Sequence, residues 1–138
     1  MNGPVPVSIL LVQDLNASAA HLGRWIADTR PAAALVFGGM ATARHHRHAT
    51  FHNVPAEQWL TLSGCLCCMA PTDPRLILLR ALDKGVGATR KTVDHIVIMV
   101  PPGLLAPVLR VLDSLTPLIG HIAPATVVRT DAVASSAA

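Results

Sequence analysis

Val5 to Val12 is a run of β-branched residues and leucines bounded by Pro4 on one side and Gln13-Asp14 on the other, and Val93 to Val100 is a second and clearer strand of the same kind. A strand that is apolar on consecutive positions has no face to give to water, so both of its faces must be covered. Helical segments fill the intervals. From Ala17 to Thr29, Ala20, Leu22, Trp25 and Ile26 recur at helical spacing, with Asn16 as the expected N-cap and Pro31 ending the run. Pro74 to Leu82 carries Leu76, Leu78, Leu79 and Leu82, and Leu104 to Leu115 has the same periodicity. Ala33 to Phe37, Trp59 to Leu62 and Ala125 to Thr130 read as further short strands. Strands alternating with helices predict a mostly parallel α/β sheet with helices on both sides.

Two intervals are expected to be irregular. Gly38 to Ala56 holds Gly38-Gly39, four of the seven histidines and little periodicity, and reads as a mobile surface loop. Asp83 to Arg90 reads as a shorter loop. At 138 residues the chain suits one domain, expected over residues 1–132 with a flexible tail at 133–138. Hydrophobic residues are 51% and aromatic ones 3%, so the core must be built from aliphatic side chains. No apolar run approaches the roughly 18 residues of a membrane helix. The amino terminus lacks the basic region of a signal peptide, which makes the cytoplasm the expected compartment.

Chemistry concentrates in Gly64-Cys65-Leu66-Cys67-Cys68. Three cysteines in four positions cannot form a regular disulfide framework, which leaves reduced thiols or a metal site. The net charge is +3, and the one local basic cluster, Arg44-His45-His46-Arg47-His48, has no interleaved aromatic residue, so nucleic acid is not an expected partner.

Strand, turn and helix, then a strand, then Leu62-Ser63-Gly64-Cys65-Leu66-Cys67-Cys68 ahead of a helix: in this order the chain resembles a truncated member of the CobW family of P-loop proteins. Asp94-His95-Ile96-Val97-Ile98 with Gly103-Leu104 and Pro107, and Thr126-Val127-Val128-Arg129-Thr130-Asp131-Ala132, resemble two more of that family's segments. The resemblance implies a three-layer, P-loop-like (Rossmann-like) α/β domain. It also implies a metallochaperone GTPase ancestry whose nucleotide chemistry is absent here. A phosphate loop needs glycines, a lysine and a hydroxyl. In the matching turn, running through Asn16, Gln13 and Ser18 replace the glycines, Ala19 the lysine and Ala20 the hydroxyl residue, while Met99 stands where the next strand should end on an acid. The family's Asn-Lys-x-Asp guanine-reading motif has no counterpart. GTP and Mg are therefore not expected to bind, and no catalytic residue is assigned.

The resemblance further implies that Cys65, Cys67 and Cys68 ligate Zn(II), Co(II) or Cu(I). Adjacent residues of an extended segment point opposite ways, so two of the three thiolates share a side and the site needs further ligands. His45, His46, His48 and His52 are the candidates, as is a second copy of the chain in a homodimer; Met69 offers a thioether to Cu(I). The expected role is that of an accessory or regulatory protein in metal handling. Two alternatives stay open. One is a residual GTP or ATP hydrolase using Lys84, Arg90 or Lys91; the other is an interaction scaffold with passive cysteines.

Overall fold

The computed structural model describes residues 3–39, 47–62 and 70–129. Five strands form one sheet in which every pairing is parallel: β1 (Val7–Leu11), β2 (Ala34–Gly38), β3 (Ala49–Asn53), β4 (His95–Val100) and β5 (Thr126–Arg129), in the order β3-β2-β4-β1-β5. The helices are α1 (Leu15–Thr29), α2 (Gln58–Thr61), α3 (Pro74–Lys84) and α4 (Leu105–Ile119), the last entered through a 3-10 turn at Pro102–Leu104. The expected α/β three-layer architecture is the one observed.

Period-two alternation divides the aliphatic strands between two cores. Val7, Ile9 and Leu11 of β1, Leu35 and Phe37 of β2, and Ile96, Ile98 and Val100 of β4 pack with Leu78 and Ala81 of α3 and with Val108, Leu112 and Leu115 of α4. Leu10, Val12, Ala34, Val36, Val97 and Met99 point the other way, against Leu22 and Ile26 of α1. That division explains why these strands are apolar at nearly every position, Ser8 of β1 and His95 of β4 excepted, as layers on both sides require. At the sheet's end β5 is exposed along its length, with Val127 and Val128 each 36% accessible.

Three expectations are corrected. Trp59 to Leu62 is not a strand: Gln58–Thr61 is the short helix α2, closed by local hydrogen bonds from Gln58 N to Pro55 O (2.9 Å), Trp59 N to Ala56 O (3.3 Å) and Leu60 N to Glu57 O (3.1 Å). Trp59 is buried while Leu60 is 62% exposed, and four residues are too few for apolar spacing to separate helix from strand. The interval Gly38 to Ala56 is not all loop, because Ala49–Asn53 forms β3, in register with β2 from Ala34↔Ala49 to Gly38↔Asn53. As an edge strand it is only partly buried, so it carries no continuous apolar run. Finally, α1 begins at Leu15, so Asn16 lies in its first turn and does not cap it from outside. The expected tail at 133–138 lies outside the described residues.

Candidate functional site

An open parallel sheet offers a crevice where neighbouring strands send their connections to opposite faces, outside their carboxyl ends. Here those strands are β1 and β4: α1 leaves β1 over one face toward β2, and α4 leaves β4 over the other toward β5. Beyond their ends Val12 N donates to Val100 O at 3.0 Å, which zips the crevice one step further. Only Val12, Gln13 and Asp14 separate β1 from α1. Gln13 is exposed, whereas Asn16, Ser18, Ala19 and Ala20 are wound into the helix, with Ser18 only 1% accessible and Ala17 N donating to Asp14 O at 3.1 Å. An anion cradle needs several consecutive backbone N–H groups turned toward one point, and here three residues link the strand to the helix.

Cys65, Cys67, Cys68 and Met69 lie outside the described residues, as do His45 and His46; what flanks the cysteine segment is well defined. Residues 63–69 leave from Leu62, extended at the end of α2 (φ −67°, ψ 125°), and reach Ala70, whose carbonyl accepts from Asp73 N at 2.9 Å. The Gln58 side-chain amide donates to Thr72 O at 3.0 Å and ties α2 to the residues before α3. Asp73 then caps α3: its Oδ1 accepts from Arg75 N (2.9 Å) and Nε (3.0 Å), and its Oδ2 from an Arg75 terminal nitrogen (2.7 Å). Both side chains of this pair are buried. Burial works to raise the Asp73 carboxyl, and the hydrogen bonds and charge of Arg75 outweigh it, leaving the group below the ordinary carboxylate value. The cysteine segment thus springs from two fixed points.

His52 stands beside the second of them. On β3 it pairs with Phe37 of β2, their rings 6.0 Å apart, and it lines a cleft of about 630 Å³ shared with Pro71 and Thr72. Burial pushes its imidazole below the ordinary value, which favours the neutral form that metal ions bind. His48 precedes the other end of β3 and lines a different cleft, with Arg47 and Lys91. The strand rise separates His48 from His52 by about 13 Å along the backbone, and the two line different clefts. The structure therefore separates the two described histidine candidates and associates His52 alone with the flank of the cysteine segment. Among the described residues, no group of three His, Cys, Asp or Glu side chains converges to hold an ion.

Comparison of the chain with protein-family models, curated proteins and solved structures gave no match. Function must therefore be argued from the residues themselves.

Reading the sequence alone missed Arg80, which joins Lys84 and His52 in the 630 Å³ cleft, and the Gln58 staple. The Asp73 cap had a visible signal in Asp73-Pro74, an N-cap residue followed by proline at the first helical position. Nothing local marks the meeting of Arg80 with His52, because His52 comes from β3, far away in the chain. Two other histidine contacts have an evident structural role. Asp94 accepts from Ala32 N (2.7 Å) and Ala33 N (3.0 Å) and lies 3.2 Å from His95 Nδ1, while His95 sits edge-on to Trp25 at 5.6 Å.

Proposed function

We propose that this protein is a CobW-like α/β domain without nucleotide chemistry that binds a transition ion, Zn(II), Co(II) or Cu(I), through Cys65, Cys67 and Cys68, and serves as an accessory protein in metal handling. The observation that carries the reading is the position of His52, an imidazole kept neutral by burial in the cleft whose wall includes Pro71 and Thr72, the residues that follow the cysteine segment. Thiolates with one imidazole make a soft to borderline donor set suited to these ions. The short β1–α1 turn supports the non-catalytic half of the proposal, since it leaves no loop to wrap phosphates.

Reduced protein titrated with Zn(II), Co(II) and Cu(I), followed by elemental analysis, tests the reading directly. Near-stoichiometric metal should be retained, with thiolate charge-transfer bands for Co(II). Serine at all three cysteine positions should abolish retention, and His52→Ala should weaken it by about tenfold, on the scale of one lost ligand or its support. A folded, reduced protein that retains none of the three ions sinks the proposal. Retention that depends on protein concentration would assign the remaining ligand to a second copy.

A further inference from the structure

Two clefts meet along the edge strand β3. At its carboxyl half His52, Arg80 and Lys84 line the cleft of about 630 Å³. At its amino half Arg47, His48 and Lys91 line one of about 270 Å³. Thr50, Val86 and Gly87 belong to both walls, so the two form one groove along the strand. Among the described residues no acidic side chain lines either part, although the chain has eight acidic residues and a net charge of only +3. Four of the eleven Lys and Arg residues thus line one concave place.

The wall carrying Lys91 is a closed hairpin. Val86 N donates to Lys91 O (2.8 Å), Lys91 N to Val86 O (2.9 Å) and Arg90 N to Gly87 O (3.1 Å). Gly85 (φ 81°), Gly87 (φ 76°) and Arg90 (φ 51°) all adopt left-handed backbone to make it. A non-glycine residue held there is strained and persists where its surroundings over-determine it. Lys91 consequently projects from a fixed backbone.

The two ends of the groove, marked by His48 and His52, lie about 13 Å apart along the strand backbone. A single phosphate reaches one of them; a chain of phosphates reaches both. No Phe, Tyr or Trp lines the groove among the described residues, so bases would lack the large stacking platforms that single-stranded nucleic acid relies on. We propose that this groove binds a linear phosphoanhydride chain, inorganic polyphosphate, laid along β3 between the Arg47/Lys91 and Arg80/Lys84 ends. Only His52 is shared with the metal reading, and the variants below leave it in place.

Calorimetry on the metal-free full chain at fixed ionic strength, with orthophosphate, tripolyphosphate, long-chain polyphosphate, ATP and an oligouridylate, tests the proposal. Affinity should rise with chain length, with long-chain polyphosphate about tenfold or more tighter than tripolyphosphate as the second cluster engages. Lys91→Gln and the double variant Arg80→Gln/Lys84→Gln should each weaken it by about tenfold, while Arg110→Gln, an exposed arginine outside the groove, should change it less than about twofold. Circular dichroism identical to the parent keeps folding out of the comparison. ATP should bind no tighter than tripolyphosphate, and ATP tighter than long-chain polyphosphate would overturn the proposal in favour of a nucleotide. Affinity independent of chain length, oligouridylate binding tighter than polyphosphate, or Arg110→Gln matching the groove variants would each overturn it.

Discussion

Asp73 accepts three hydrogen bonds from Arg75 and at the same time supplies the cap of α3, all at about 5% exposure. Removing the carboxylate would strip the cap and leave a guanidinium in the interior without its ion partner. Asp73→Ala should therefore cost about 3 kcal/mol or more, read as a lower urea midpoint at an unchanged slope. The titration signs agree across three groups. Hydrogen bonds overcome burial to hold the Asp73 and Asp94 carboxyls below their ordinary values, so the stability they contribute is complete above the unfolded carboxylate value and disappears as pH falls through the folded ones. His52 is also depressed, through burial, so the unfolded chain takes up its proton first and stability begins to decline below about pH 6.5. Urea midpoints measured from pH 8 to 3 should fall in two stages. His52→Gln should flatten the upper stage and Asp94→Asn the lower; a His52→Gln profile that overlays the parent would contradict the first assignment.

At the scale of elements, the turn after α3 separates two glycines that look alike in the sequence. A Cβ on Gly85 would meet Arg90 O at 2.6 Å, whereas the space around Gly87 is open, and both have positive φ. Gly85→Ala should thus lose more than the roughly 1 kcal/mol expected of Gly87→Ala from backbone strain alone, and thermal unfolding of the two variants would rank them. The elements also show what a local pattern can and cannot carry. β1, β4 and α4 are long or strongly apolar and were legible, with ends moved by a few residues. β3 was not, because Ala49-Thr50-Phe51-His52-Asn53 becomes a strand through pairing with β2 and has one edge uncovered. In α2, the buried Trp59 and exposed Leu60 alternate in a way that four residues cannot assign to either period.

For the whole molecule, the sheet has a firm centre and a thin margin. Ile98 of β4 is 1% exposed beneath α3 and α4, and Ile98→Ala should cost about 2–5 kcal/mol through lost transfer energy and the cavity left behind. Val127 on β5 has no such cover, and Val127→Ala should change stability by no more than about 0.5 kcal/mol. Equal losses in chemical denaturation would mean that β5 is packed as firmly as β4. The candidate site was only half legible on this scale. The cysteines and histidines were visible as residue types, but whether His48 and His52 could act together depended on their lying at opposite ends of one strand. By itself the sequence determined the layered α/β class, since strands apolar on nearly every residue need a layer on each side, and it named the thiols and imidazoles that chemistry would use. Tertiary structure alone decided that β3 exists, that the β1–α1 turn is three residues long, and that Arg47, His48, His52, Arg80, Lys84 and Lys91 share one groove. Those facts depend on pairings between residues distant in the chain, and local periodicity carries no record of which distant segments will meet.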